Sequence, residues 1–415
     1  MAAIALLLNP KQAKIIIAVE RIKIVFLLFM IYFMIKLSHL FSFQNLISAY
    51  YRCRKRKRLK PQASKFEFSL EKEIINLEKL LKNHTYEPLP FSVFVVTEPK
   101  IREVFAAEFR DRVIHHLLYN YLSPIFERKF IFDSYACRKG KGTYRTVKRL
   151  SQFLRKITAN NRKKAFYLQA DIKNFFPSIN HDILFKLIEK YTKNSNILWL
   201  TKSIIYYDCT QNPVKKGQLP LSLVPPHKSL FNVPPGQGLP IGNLTSQFFA
   251  NVYLNELDQF IKHHLKCKYY VRYVDDFVIL DESKENLYKI LQEIDKFLEQ
   301  KLSLKLHPKK LIIEDINKGI DTLGYLIKPT HILVRKRVVK NFKKKLFQFQ
   351  KDLPLNKVKL DFILSSLNSY YAHFRHADSY KLRKHLWEKH FGILKKFLRP
   401  VDDFRYFKPR KNLGG

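Results

Sequence analysis

Three carboxylates stand where a chain ordinarily places apolar side chains. Asp171 lies within A-F-Y-L-Q-A-D-I from Ala165 to Ile172, and Asp275 and Asp276 interrupt K-Y-Y-V-R-Y-V-D-D-F-V-I-L from Lys268 to Leu280. Both runs have the β-branched and aromatic content of buried strands. An isolated carboxylate there is costly, so each needs a hydrogen-bond network, a basic partner or a metal ion. Two acids brought together repel unless a divalent cation lies between them, and hard oxygen ligands favour Mg²⁺. Consecutive strand residues point to opposite faces, so Asp275 and Asp276 can converge on one site only beside a tight turn, whereas Tyr273 and Asp275 share a face. Taken alone, V-D-D-F also reads as an ordinary hairpin turn, where Asp is common.

Charge narrows the partner. Seventy-six Lys and Arg against 35 Asp and Glu leave +41 over 415 residues. So large an excess repels itself and calls for a polyanion, above all nucleic acid; a ribosome-like or membrane-surface basic protein is the plainer alternative. With 46% apolar residues a sizeable core is available and global disorder is excluded. The length suits two or three sub-domains. Basic residues concentrate in Arg52–Lys60, with Arg54, Lys55, Arg56 and Lys57, and again in Arg335–Lys345, with Arg335, Lys336 and Arg337. Both strips are expected to contact phosphate backbone, against the reading of solvated charged loops. Cys53, Cys137, Cys209 and Cys267 form no C-x-x-C pair, so neither a disulfide framework nor a zinc cluster is expected, and a reducing cytosol fits.

Periodicity predicts helices at Ser69–Leu81 (capped by Ser69), Arg110–Phe126, His181–Tyr191, Leu244–Leu265 and Lys284–Leu302. Strands are expected at Phe91–Val96, Ile101–Ala107 and the two acid-bearing runs. Interleaved in this way they give an α+β fold with a mainly antiparallel sheet. The proline-containing stretch from Thr210 to Gly238 reads as a loop insertion, helical sequence follows the second basic strip to about Leu398, and Pro400–Gly415 reads as a loose polar tail. Near the N-terminus, Ile24–Ile35 runs without a charge. Twelve helical residues reach about 18 Å, short of the roughly 30 Å hydrocarbon core. An interfacial helix, a buried helix and an upstream extension preceding the true start (Met30 or Met34) stay open; the last is favoured and membrane association disfavoured.

The acids keep recognisable company. Y-V-D-D at Tyr273–Asp276 resembles the catalytic hairpin of reverse transcriptases, and D-I-K-N-F-F-P-S-I from Asp171 to Ile179 resembles their first palm motif. G-L-P-I-G-N-L-T-S-Q from Gly238 to Gln247 falls where the nucleotide-positioning loop belongs, and Leu323-Gly324-Tyr325 where the primer grip is expected. Arg102–Arg112 and Asp133–Thr143 are similar to the fingers motifs. The resemblance covers roughly residues 43 to 395. It implies a right-hand polymerase: fingers after a basic region (38–165), a palm (166–328, with an insertion near 192–238), a helical thumb (329–400) and a tail (401–415), with 1–37 outside. Among such enzymes the chain is most similar to those of diversity-generating retroelements. Ile241 stands where intron and retroviral enzymes usually carry Gln, and the motif ends in Ser246-Gln247. Nothing after the thumb resembles the DNA-binding and nuclease extension of a full intron maturase, or an RNase H segment.

By this resemblance Asp171, Asp275 and the carbonyl of Ile172 hold two Mg²⁺ ions, with Mn²⁺ as a substitute, and Asp276 completes the site. Arg102, Arg112, Lys139 and Gln247 are expected at the incoming dNTP, and Phe176 at the position that excludes a 2′-hydroxyl, against the plainer reading of a core aromatic. Lys309 or Lys310 is a candidate acid for pyrophosphate. Ile241 and Gly242 position template and nucleotide; isoleucine offers shape without a donor, which in the family accompanies misincorporation opposite template adenines. The implied partners are template RNA, the RNA/cDNA duplex, dNTPs and a small basic oligomeric accessory protein. Three alternatives remain: a reverse transcriptase of another bacterial lineage (group II intron-like, retron or defence-associated), a non-catalytic RNA-binding protein of this fold, and a membrane-surface protein.

Overall fold

The computed structural model describes residues 40–98 and 100–410, so the apolar run Ile24–Ile35 lies outside the described residues. The chain divides into two compact units: residues 1–125, 191–224 and 240–246, and residues 126–190, 225–239 and 247–415.

In the first unit, α1 (Phe43–Arg54), α2 (Pro61–Phe68) and α3 (Leu70–Lys82) precede a sheet of β1 (Ser92–Val96) and β2 (Arg102–Ala106), followed by α4 (Phe109–Glu127). Ser69 occupies the expected cap position of α3, yet its side chain makes no capping hydrogen bond. β1 and β2 pair antiparallel, and the short β4 (Val214–Lys215) adds to β1 in parallel. The stretch expected as a fingers or loop insertion near 192–238 carries secondary structure of its own. It opens with a regular helix, α7 (Ser195–Ile205), whose Asn194 side chain accepts from the Ile197 N–H and whose Ile197, Leu200 and Ile205 are buried. That i, i+3, i+8 apolar stripe is helical in period. Loop and single-turn structure begins only after it.

The second unit is built on four antiparallel strands in the order β5-β6-β3-β7: β3 (Phe166–Asp171), β5 (Tyr269–Tyr273), β6 (Asp276–Asp281) and β7 (Ile312–Asp315). Both faces are covered, which is why the strands read as near-continuous apolar runs. On one face α5 (Thr143–Ile157) packs Val147, Leu150, Phe153 and Leu154 against Tyr167, Val271, Val278 and Leu280. This helix is absent from the expectations above, although its apolar spacing carries it. Further helices are α6 (His181–Glu189), α8 (Leu244–Gln259) and α9 (Lys284–Leu302), the last packing on β3, β6 and β7. A three-stranded meander follows, β8 (Ile320–Thr322), β9 (Tyr325–Ile327) and β10 (Ile332–Val334). The helical region α10 (Lys336–Asp352), α11 (Leu360–Phe374) and α12 (Tyr380–His390) then encloses a core of Phe342, Leu367, Tyr371, Phe374 and Phe391. The expected loose tail is corrected as far as Pro409: β11 (Leu398–Val401) and β12 (Tyr406–Pro409) form a hairpin, and Phe407 is 1% exposed against Tyr371 and Phe391. One aromatic inserted into an aromatic core outweighs the polar character of its neighbours. The architecture is α+β with mainly antiparallel sheets, as the sequence implied.

Candidate active site

The register of the central sheet assembles the acids. Asp171, last in β3, lies directly across from Asp276, first in β6, and Asp276 also faces Tyr273 of β5. Directly opposed residues point to the same face, with Cα atoms roughly 4.5–5.5 Å apart. Val274 and Asp275 form the two-residue turn between β5 and β6, so the adjacent acids meet in the one geometry that permits it. Val274 adopts φ 58°, in the left-handed region. For a β-branched residue that conformation costs on the order of 1–3 kcal/mol and must be held by its surroundings.

Charge is crowded around Asp276. Its carboxyl is pushed up to about 7, first by burial, then by the negative charges of Asp275 and Asp171 and a hydrogen bond with Asp171, with Lys310 opposing. Lys310 supplies a counter-charge: its Nζ lies 2.7 Å from Asp171 Oδ2. Among the described residues no group of three His, Cys, Asp or Glu side chains forms a ready-made metal cage. The donor set nevertheless fits a hard divalent ion, because carboxylates crowded together repel and are relieved by a cation placed between them. Ile172 is buried, and the backbone beside it is fixed by bonds from His307 N to Asp171 O (2.8 Å) and from Lys173 N to Lys305 O (2.9 Å).

A family model, Reverse transcriptase (RNA-dependent DNA polymerase), matches residues 97–327, more than half of the chain, and spans all three acids. This chain is a reverse transcriptase. Its fold is accordingly that of a right-hand polymerase and its activity that of an RNA-directed DNA polymerase, an enzyme class that works with divalent metal ions. The reverse transcriptase is 24% identical over 297 residues to Protein YkfC of Escherichia coli (strain K12), covering 63% of this chain and 70% of that one. It is 24% identical to the group II intron-encoded protein LtrA of Lactococcus lactis subsp. cremoris over 62% of this chain and 50% of LtrA. To the nuclear intron maturase 1, mitochondrial, of Arabidopsis thaliana it is 21% identical, covering 56% of this chain and 42% of that one. The chain thus spans half or less of either intron protein.

The remaining sequence-derived positions divide between the two units. In the first, Arg102 is exposed on β2. Arg112 is engaged internally, Nε donating to Ala107 O (2.6 Å) and Nη2 to Gln62 Oε1 (3.2 Å). The Ile241–Asn243 loop is docked on β2: Phe105 N donates to Ile241 O (2.8 Å), and Asn243 Nδ2 to Phe105 O (3.1 Å). A Cβ at Gly242, where φ is 131°, would sit 2.6 Å from Phe105 O, so only glycine lets the loop lie this close. Arg54 is tied to Glu67 (2.8 Å), while Lys55, Arg56 and Lys57 are exposed.

In the second unit, Lys139 and Gln247 are exposed, and Phe176 is half-buried with its carbonyl accepting from Leu239 N (2.9 Å). Leu323 and Gly324, at φ 52° and 87°, form the two-residue turn of the β8–β9 hairpin. Tyr325 donates to His373 O (2.8 Å) and stacks on the His373 ring, fastening that hairpin to α11. Arg335 is paired with Asp321 (2.9 Å), whereas Lys336 and Arg337 are exposed in the first turn of α10. The sequence reading missed Arg272 and Asp258, a wholly buried ion pair behind the acidic turn. The available signal was a charge at Arg272 inside an apolar strand, the same anomaly that marked the acids.

Proposed function

We propose that this reverse transcriptase makes error-prone cDNA, mutated at template adenines, from the template RNA of a diversity-generating retroelement. The observation that carries the reading is Ile241. Its backbone is clamped to β2 through Phe105, so the side chain is presented by a rigid strand edge, and an isoleucine supplies packing without a hydrogen-bond donor or acceptor. Discrimination between bases then rests on shape alone. On this reading residues 38–165 serve as basic region and fingers, 166–328 as palm and 329–400 as thumb. Arg102 and Lys139 contact the triphosphate of the incoming dNTP, Phe176 excludes the 2′-hydroxyl, and Leu323–Tyr325 support the primer terminus.

Asp171, Asp275 and the Ile172 carbonyl, with Asp276, would hold two Mg²⁺ ions, which supply activation of the 3′-hydroxyl and charge neutralisation at the leaving pyrophosphate. A small basic oligomeric accessory protein assists synthesis, and the product replaces a variable region in a target gene. Replacing Ile241 by Gln and sequencing the cDNA tests the reading. A several-fold drop in substitutions at template adenines is expected, and an unchanged adenine error spectrum overturns it.

The similarity to LtrA and the Arabidopsis maturase favours a second reading, a group II intron-like enzyme of ordinary fidelity. A template-repeat and variable-repeat pair beside the gene separates the two.

A further inference from the structure

We infer that Arg272 is the positioning residue of this polymerase: through the carbonyl of Val274 its guanidinium holds the β5–β6 turn in the left-handed conformation that sets Asp275 and Asp276 beside Asp171. The inference rests on the reading of those acids as the catalytic site.

Arg272 is 0% exposed, and each of its five N–H groups has an acceptor. Nε donates to Asp258 Oδ1 (2.7 Å) and Nη2 to Asp258 Oδ2 (2.5 Å), a bidentate pair with α8. Nη2 also donates to Ser134 Oγ (3.1 Å) and Nη1 to Asn251 Oδ1 (3.3 Å). The remaining Nη1 hydrogen goes forward to Val274 O (2.9 Å), inside the acidic turn. The anchors are themselves held: Tyr270 OH donates to Asp258 Oδ1 (2.7 Å), and Asn251 Nδ2 to Ala136 O (2.9 Å). The backbone of Arg272 joins the same frame, its N–H donating to Asp133 O and its carbonyl accepting from Tyr135 N, both at 3.0 Å. The turn is therefore indexed at once to α8 and to the segment that presents Lys139.

A buried ion pair is a poor way to stabilise a hairpin, since well-packed apolar residues do so as well or better. What the pair supplies beyond packing is a donor fixed in direction at Val274 O. Lysine keeps the charge but lacks the planar fork, so it cannot grip Asp258 and reach Val274 together. The device is needed because Val274, at φ 58°, relaxes toward ordinary backbone unless held. Small displacements of a catalytic group suffice to slow chemistry about a hundredfold.

The test is steady-state primer extension by the full chain on an RNA template with dNTPs and saturating Mg²⁺, alongside thermal unfolding. Arg272→Lys is expected to lower kcat about a hundredfold with KM for dNTP within about threefold and one cooperative unfolding transition retained. Glycine accepts positive φ without strain. In a V274G background the same substitution should therefore cost less than about tenfold relative to Val274→Gly alone. An equal penalty in both backgrounds, or a loss that merely tracks the folded fraction, overturns the inference. Should Arg272→Lys not fold, Asn251→Ala removes one anchor without stranding a charge. A kcat reduced about fivefold at constant KM, and eased by Val274→Gly, supports the role, while an unchanged kcat overturns it. Asp275→Asn separates the two possible failures. Full activity there removes the acid assignment itself, whereas an inactive Asp275→Asn beside additive Arg272 and Val274 substitutions removes only the role of Arg272.

Discussion

Asp171, Asp276 and Lys310 form one electrostatic unit, in which an ammonium and a shared hydrogen bond offset carboxylates that the sheet register forces together. Asp171→Asn or Asp275→Asn should lower primer extension by roughly a thousandfold or more, as expected when a principal electrostatic element of a site is lost; single-nucleotide incorporation under Mg²⁺ measures it. Lys310 competes for the oxygen that a divalent ion would use. Lys310→Met should tighten Mn²⁺ binding to the protein without substrate by a few-fold, modest because the ammonium is partly solvated; titration followed by electron paramagnetic resonance reads this independently of turnover. The acids were legible in the sequence because carboxylates in apolar strands demand explanation. The choice between Lys309 and Lys310 was not, since it depends on which of two neighbouring side chains turns toward β3. Nor was the internal use of Arg112, whose acceptors are Ala107 and the distant Gln62.

Among elements, the helix over Lys284–Leu302 and the acidic hairpin follow from period and turn chemistry alone. The β11–β12 hairpin does not. Its stretch is rich in charge, and its structural reason is Phe407, whose ring packs against Tyr371, Trp387 and Phe391 on α11, α12 and the turn after α12. Phe407→Ala should therefore destabilise the protein by about 3–5 kcal/mol, as for other buried aromatics. A loose tail would give under about 0.5 kcal/mol for the same change. Urea unfolding followed by fluorescence of Trp387 distinguishes the outcomes. Motif position alone points to Tyr325, but its fastening to His373 is a tertiary contact between residues 48 apart.

For the molecule as a whole, +41 sets both affinity and its salt dependence. If the enzyme contacts 6–10 phosphates, affinity for an RNA/DNA duplex should fall by about 10³–10⁵ between 50 and 200 mM salt, with little dependence on sequence; fluorescence anisotropy at several salt concentrations measures the slope. Stability should depend on pH through His115, which is 2% exposed and whose imidazole burial holds down to about 3. Between the unfolded value near 6.5 and that folded value, the unfolded chain binds a proton that the folded chain refuses. Stability contributed by neutral His115 is thus complete above about pH 6.5 and declines as pH falls toward 3. One unit below 6.5 the loss is about 1.4 kcal/mol. Urea midpoints at pH 7.5 and 5.5, compared with His115→Gln, should show a shallower pH dependence in the variant.

The sequence by itself determined the strand-borne acids, the α+β class, the polyanionic partner and the reverse transcriptase motifs, because each is written in local period, local composition or total charge. Only the tertiary structure decided that Asp171 faces Asp276, that Lys310 rather than Lys309 approaches them, and that Arg272 of β5 bonds both Asp258 of α8 and the Val274 carbonyl. Those facts depend on strand register and on donors brought together across long stretches of chain. A one-residue slip of β6 against β3 would turn the side chains of the slipped strand to the other face and part Asp276 from Asp171.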